Sequence, residues 1–199
     1  MYDGGFVFTR IEKGAMTETR SVRINLEKFE PTSENRRVLK KTEELEMKII
    51  RLPHPSYDWN IHKMGFDFYT KKFGPKTFSA NKIKELLTSE KSNFNLLLEY
   101  YINGTPAGYC ICFENKNWLH YGYPFYDLDT KIPNLGIGMM TRAIIWAKEN
   151  RKKFVCLGSA QNKVAIYKLQ FPGAEWWDGK RWEDNTKKLK ILLDAKSYV

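Results

Sequence analysis

Two short stretches carry residue types and spacing from which chemistry can be read: Asn134-Leu-Gly-Ile-Gly-Met-Met140 and Asn162-Lys-Val-Ala-Ile-Tyr-Lys-Leu-Gln-Phe171. Glycines 136 and 138 stand where a strand hands over to a helix. Unpaired backbone N–H groups and the positive end of the helix dipole there form a seat for an anionic ligand at Leu135, Gly136, Ile137 and Gly138. The second stretch reads as a compact helix with Asn near its start, Tyr167 on one face and Phe171 just past its end. A phenol, with an ordinary pKa of about 10, can donate to an alkoxide developing in a transition state. Tyr167 offers such a phenol, with ring packing on a sheet as the alternative.

Three carboxylates and two amides join these stretches as candidates. Asp127 and Asp129 lie where a strand run ends, close to the glycine loop, and could hold an α-amine or a guanidinium; Asp-Leu-Asp-Thr is also a ready turn. Glu99 interrupts Leu96-Leu-Leu-Glu-Tyr-Tyr. On a central strand it is a buried carboxylate suited to act as a base, and on a half-exposed strand it merely points outward. Gln161 and Asn162 could fix backbone or substrate amides, or Asn162 could simply cap the helix. Arg36 and Lys40 are four apart, as are Arg37 and Lys41, so each pair shares a helix face. The resulting patch suits nucleic-acid phosphates or, equally, solvent. Trp176-Trp-Asp-Gly-Lys-Arg-Trp182 sets aromatic planes beside cations, which can stack an unpaired base or pack across a hairpin. His54, His62 and His120 share no metal spacing and read as structural or exposed, while Cys110 and Cys112 face one side of a strand and read as core.

These residues need a scaffold, and the patterning supplies one. Strands are expected at 6–10 and 20–26, and a helix opening at Pro31-Thr-Ser-Glu and running to about Ile50, where Leu52-Pro-His-Pro55 breaks the chain. An aromatic-rich helix follows over 57–72, then a short helix capped by Ser79. Strands over 95–101, 107–113 and 118–126 are joined by Asn103-Gly104 and by Asn115-Lys-Asn117, the first a strong hairpin signal. They feed a helix over 136–150, a short strand at 154–157, the helix 162–170, the Trp hairpin and a last amphipathic segment from Leu189 to Leu193. The reading is α+β: a mixed sheet of five to seven strands flanked by helices.

Composition narrows the function classes. Three cysteines without a Cys-x-x-Cys pair argue against a disulfide scaffold or a zinc ribbon and suit a reducing cytoplasm. The N-terminus lacks the pattern of a signal peptide, and no apolar run approaches the roughly 18 residues of a membrane span. The expectation is a soluble, cytoplasmic protein. Lys and Arg outnumber Asp and Glu by 33 to 23, a formal charge of +10, which fits a solvated basic surface or an anionic partner such as RNA or a phosphate-bearing cofactor.

In order and spacing, the glycine loop and the Tyr167 helix resemble the cofactor-binding half of the GNAT acyltransferase fold. A narrower resemblance rests on Tyr123-Pro-Phe-Tyr-Asp127, Pro133-Asn-Leu-Gly136, Val155-Cys-Leu-Gly158 and Ile166-Tyr-Lys168, with the earlier run from Ser21 to Lys40. Across roughly residues 20–175 the chain is similar to the arginyl-tRNA–protein transferases, chiefly their C-terminal GNAT-like domain. That resemblance implies an aminoacyltransferase moving an aminoacyl group from tRNA to a protein N-terminal amine, with no metal or other cofactor. With the residues read above, catalysis would fall to Tyr167, which occupies the Tyr position of the superfamily's last helix, and to Asp127 and Glu99, substrate binding to Asp129, Gln161, Asn162 and 135–138, and tRNA binding to Arg36, Arg37, Lys40 and Lys41. It implies two parts, N-terminal strands with a basic helix over 1–55 and the GNAT-like catalytic domain over 56–199. The chain departs from the family in having no cysteine within residues 1–50, which excludes an iron–sulfur cluster there, and in a missing or minimal N-terminal domain. Acetyl-CoA users of the superfamily carry Arg or Gln three residues before the first loop glycine, where this chain has Pro133. An acetyl-CoA-dependent N-acetyltransferase and a catalytically silent tRNA-binding relative stand as alternatives.

Overall fold

The computed structural model describes residues 1–9 and 14–195. Its strands are β1 (Phe6–Phe8), β2 (Met16–Glu18), β3 (Ser21–Asn25), β4 (Leu45–Arg51), β5 (Leu96–Ile102), β6 (Thr105–Glu114), β7 (Trp118–Tyr126), β8 (Phe154–Ser159), β9 (Ala174–Trp177) and β10 (Trp182–Glu183). The α-helices are α1 (Ser33–Lys41), α2 (Trp59–Phe73), α3 (Ala80–Thr88), α4 (Leu135–Glu149) and α5 (Thr186–Ala195), and 3-10 helices occupy Tyr2–Gly4 and Lys163–Gln170. Eight strands form one sheet in the order β10-β9-β3-β8-β7-β6-β5-β4, while β1 and β2 form a separate hairpin. Within the large sheet β7 and β8 are parallel and the other pairs antiparallel. This is the expected mixed, mostly antiparallel α+β architecture, with one strand more than the upper expectation. Residues 1–55 supply both β3, inserted between β8 and β9, and the edge strand β4.

The helix expected to reach Ile50 stops at Lys41. Thr32 and Asn35 close a reciprocal capping box at the start of α1, and Thr42 ends it with its hydroxyl turned back onto the Val38 carbonyl at 2.9 Å. Leu45–Arg51 then pairs with β5, Met47 opposite Tyr100 and Ile49 opposite Leu98. Glu and Lys in this stretch are good helix formers, but pairing with a buried strand outweighs that weak preference. The 162–170 segment is helical as expected but wound as a 3-10 helix. Arg10, the expected end of the first strand, lies outside the described residues.

Each face of the sheet buries its own apolar layer. On one face α4 contributes Met139, Ala143, Ile144 and Ala147 against Leu96, Leu98, Tyr100, Leu119, Tyr121 and Val155. On the other, α2 and α3 bring Ile61, Phe68, Tyr69, Ile83 and Leu87 onto Leu97, Tyr109, Ile111, Tyr123 and Phe125. The alternation along β5 therefore sends even-numbered residues towards α4 and odd-numbered ones, Glu99 included, towards α2 and α3. Cys110 and Cys112 belong to the α4-facing core, with their sulfurs 3.5 Å apart. Among the described residues no helix is long and apolar enough to cross a membrane.

Candidate functional site

The parallel pairing of β7 with β8 is brief. It joins Trp118 to Phe154, Leu119 to Val155 and His120 to Cys156, after which β7 runs on to Tyr126 and β8 to Ser159 without pairing to each other. Each strand carries an extra residue just there: Tyr121 faces Cys112 and Tyr123 faces Ile111, leaving Gly122 outside the register. Likewise Arg23 faces Cys156 and Val22 faces Gly158, leaving out Leu157. Bulges bend and twist the strands that hold them, and here the two strands part into a gap through the sheet. One face of this gap is spanned by the N-terminal hairpin. Tyr2 Oη lies 3.0 Å from His120 Nδ1, the Tyr123 hydroxyl donates to the Thr9 carbonyl at 2.8 Å, and the Thr19 and Ser159 hydroxyls meet at 2.8 Å.

From the end of β7 the chain passes into α4. Asn134 sits in the left-handed region at φ 63° and contributes no side-chain cap. The first rung of the helix runs from Gly138 N–H to the Asn134 carbonyl at 2.9 Å. The amides of residues 135–137 precede the ladder, while that of Gly138 is already spent, which removes Gly138 from the four amides expected to be unpaired. Both glycines earn their place by close approach. A Cβ at position 136 would stand 2.8 Å from the Tyr126 ring, and one at 138 would stand 2.7 Å from Thr42 Oγ1. The Tyr126 hydroxyl accepts a hydrogen bond from Lys72 at 3.1 Å, which brings a cation to the first turn of α4.

The Gly138–Thr42 approach ties this helix start to α1. Thr42 receives the Arg142 guanidinium on both its hydroxyl (2.8 Å) and its carbonyl. Burial pulls the Arg142 pKa down, with the Tyr100 phenol acting weakly the other way. Arg36, Arg37, Lys40 and Lys41 are all exposed on α1, Lys40 and Lys41 in its last turn beside Thr42. Arg37 forks onto Glu34 at 2.7 and 2.8 Å, and Arg36 donates to the Pro31 carbonyl.

Asp127 and Asp129 come together in a cleft of about 310 Å³ between α2 and the loop after β7, with Asn60, Lys63, Asp67 and Lys71 on the opposite wall. Lys71 pairs with Asp129 at 3.1 Å and Lys63 with Asp67 at 2.8 Å. Asp127 Oδ1 accepts the Asp129 N–H, so the turn role of Asp127 is realised in a residue that also lines the cleft.

Glu99 is buried, and both its oxygens are engaged: His54 Nε2 lies 3.1 Å from one and the Tyr101 hydroxyl donates to the other at 2.8 Å. Ser56 N–H donates to His54 Nδ1, which places the imidazole proton on Nε2, facing Glu99. Burial, then the Glu99 hydrogen bond and charge, push the Tyr101 phenol up to about 12. Glu99 faces Tyr109, which faces Phe125 on β7, so this chain of side chains lies two strands from β7, on the order of 10 Å across the sheet. The structure does not bring Glu99 to the gap.

The remaining candidates divide. Asn162 caps the 3-10 helix by accepting the Val164 N–H at 3.1 Å, and Gln161 donates to Thr19. Tyr167 is 39% exposed on that helix. In the Trp hairpin Trp176 is buried, and the Arg23 guanidinium lies 4.1 Å over the Trp182 ring, so these aromatic planes are used within the protein. Sequence reasoning missed the partners of His54 and His120. A histidine inside the apolar run 118–126 was the available sign for His120; for His54 the partner lies 45 residues away.

No family model matches the chain, and no curated protein matches it. Solved structures do. The C-terminal domain (DUF2156) of a protein from Agrobacterium fabrum named as a lysylphosphatidylglycerol synthetase superposes with a TM-score of 0.57 at 11% identity, over 89% of this chain and 64% of that one. L-PGS from Bacillus licheniformis gives 0.56 at 10% identity over the same shares. The GCN5-related glucosamine N-acetyltransferase region of a fungal GH3 β-N-acetylglucosaminidase gives 0.51 at 11% identity, over 82% of this chain and 20% of that one. The fold is GNAT-like. The chain spans about two-thirds (64%) of the length of the first two structures.

Proposed function

We propose that this protein is an aminoacyl-tRNA-dependent aminoacyltransferase that moves an aminoacyl group onto an amine, a protein N-terminus being the acceptor implied by the sequence resemblance. The observation that carries the reading is the junction of Thr42 with Gly138. It sets the exposed basic helix α1 against the start of α4, where the amides of 135–137 precede the helix ladder. A phosphate chain tracking Arg36, Arg37, Lys40 and Lys41 is led to those amides. One of the structurally similar proteins, from Agrobacterium fabrum, bears the name lysylphosphatidylglycerol synthetase, which supports an aminoacyl cargo.

An aminoacyl ester is already activated, so the enzyme has to position a neutral amine and assist departure of the ribose oxygen. In the proposed reaction the amine forms the C–N bond, the C–O bond to ribose breaks, and Tyr167 gives its proton to the leaving oxygen. The proton released by the attacking nitrogen restores the phenol. Asp127 and Asp129 hold the cationic group of the aminoacyl moiety in the cleft beside Tyr126.

Mass spectrometry of a peptide library incubated with charged tRNA pools tests this directly. Transfer of an aminoacyl mass to a peptide amine is the expected result. Micromolar binding of acetyl-CoA without binding of tRNA would replace the donor with CoA, and tRNA binding without transfer would leave a binding module.

A further inference from the structure

At the point where β7 and β8 part, His120 is fully buried, and among the described residues its Nε2 has no hydrogen-bond partner. The ring is held from two sides, by Phe8 stacked at 5.5 Å and by Tyr2 edge-on at 5.6 Å, and its Nδ1 faces the Tyr2 hydroxyl. Burial keeps the Tyr2 phenol protonated by raising its pKa far above the ordinary value. Burial, then the charge of Lys168, pull His120 down to about 3, so the imidazole is neutral at neutral pH. The tautomer in which the phenol donates to Nδ1 leaves the single imidazole proton on Nε2, a buried donor without an acceptor among the described residues. An orphaned buried donor is costly, and a ligand oxygen placed at this atom would remove that cost.

The space it faces is defined by Gly158, two residues past the last β7–β8 pair. Gly158 has φ +75°, a conformation that favours glycine, and a Cβ built there would lie 4.0 Å from His120 Nε2 and 3.8 Å from Lys168 Nζ. Both nitrogens thus border the same side-chain-free space, and Lys168 is steadied there by donating to the Ser159 carbonyl at 2.6 Å. Lys168 directly follows Tyr167, so the proton donor of the proposed reaction and this space share one turn of the 3-10 helix.

We propose that His120 Nε2–H and the Lys168 ammonium bind the carbonyl oxygen of the transferred acyl group, the oxygen that bears negative charge in the tetrahedral intermediate. The inference rests on the acyl-transfer reading and adds the group that reading lacks. When the amine attacks, the carbonyl π pair moves onto the oxygen, and two donors already in place stabilise it without reorganising. Collapse restores the C=O bond and expels the ribose oxygen, which takes the Tyr167 proton. His120 and Lys168 donate hydrogen bonds throughout and transfer no proton.

The test uses the full chain labelled with ¹⁵N-histidine, two-bond ¹H–¹⁵N spectra, and isothermal titration with two probes: an amide-linked 3′-aminoacyl-adenosine bearing arginine or lysine, and acetyl-CoA. The free protein is expected to show His120 protonated on Nε2. The probe that binds should move that proton downfield and leave His54 and His62 in place. His120→Phe and Lys168→Met should each weaken the binding roughly tenfold. The spectra of the wild-type chain decide the matter even where a variant fails to fold. Probe binding with an unmoved His120 resonance, or a free protein carrying the proton on Nδ1, overturns this inference and leaves acyl transfer standing. Binding of neither probe at millimolar concentration removes the acyl-transfer reading and this inference with it.

Discussion

Thr42, at the end of α1, occupies the space that the missing side chain of Gly138 leaves on α4, and the Arg142 guanidinium bonds to it from one helical turn further on. Gly138→Ala would push a methyl group to within 2.7 Å of Thr42 Oγ1. Thr42 is pinned by its bonds to Val38 and Arg142 and has little freedom to yield. We expect a loss of about 1–3 kcal/mol in chemical denaturation. Thr42→Ala should recover part of it in the double variant, because the two sites are in contact and their effects do not add. Fully additive losses would mean that α1 moves as a body instead.

The α1 patch is testable by salt. Charge reversal at Arg36, Arg37 and Lys40 should weaken tRNA binding and reduce the slope of log K against log salt by roughly two, since each lost phosphate contact removes about 0.7–0.9. Filter binding at several salt concentrations measures both quantities. An unchanged affinity and slope would show the patch to be solvated surface only.

What could be read from the sequence follows the range of the interactions involved. The start of α4 was legible because its cause is local: two glycines, then a long apolar helix over Met139–Ala147. β4 was not, because Leu45–Arg51 satisfies a helix by composition and becomes a strand only through its partner β5, some fifty residues on. Asp127 and Asp129 were found from their position after a strand, but the α2 wall that makes them a cleft required the fold. His120 reads from sequence only as structural or exposed because both things that define it are remote: Tyr2 is 118 residues away, and Gly158 sits on a strand that leaves β7 after three pairs.

His120 makes stability depend on pH. Its pKa falls from 6.5 to about 3 on folding, through burial first and the Lys168 charge second. The unfolded chain therefore binds the extra proton between these values. The neutral-ring contribution is fully present above pH 6.5 and is lost as pH falls towards the folded pKa, with a slope of about 1.4 kcal/mol per pH unit for one proton. Tyr2 and Cys156, the titratable neighbours beside Lys168, have pKa values raised by burial and do not titrate in this window. The difference in stability between wild type and His120→Gln, followed by denaturation between pH 4 and 7, should show this slope, on the order of one proton. Parallel profiles would place the ring in contact with water.

Arg23 and Glu175 form the most enclosed ion pair on the β3–β9 seam, with a 2.7 Å contact and side chains only 11% and 8% exposed. Asn25 adds a further donor to Glu175 at 3.2 Å, and the Arg23 guanidinium lies 4.0 Å over Phe154. Burial works against the Glu175 carboxylate, but Arg23 and Asn25 hold its pKa below the ordinary range. Its stabilising effect is present above that range and disappears as pH falls through the folded pKa. Glu175→Gln leaves the guanidinium without its counter-charge and should cost about 3 kcal/mol at neutral pH, read by thermal or urea unfolding. A cost under about 0.5 kcal/mol, the scale of an ordinary surface change, would mean that the ring contacts alone hold Arg23.

Tyr167→Phe isolates the proposed proton donor, since it keeps the ring and removes only the hydroxyl from a side chain that is 39% exposed. Stability should hold within about 0.5 kcal/mol. Single-turnover transfer from charged tRNA should slow by roughly 10²-fold, the lower end of what a positioned acid contributes. Donor affinity should be unchanged, because the phenol acts on an oxygen that carries charge only as the C–O bond breaks. A donor with a better leaving group narrows the deficit if the hydroxyl is an acid, since such a group needs less protonation. A deficit independent of the leaving group would assign the hydroxyl to binding the acceptor amine.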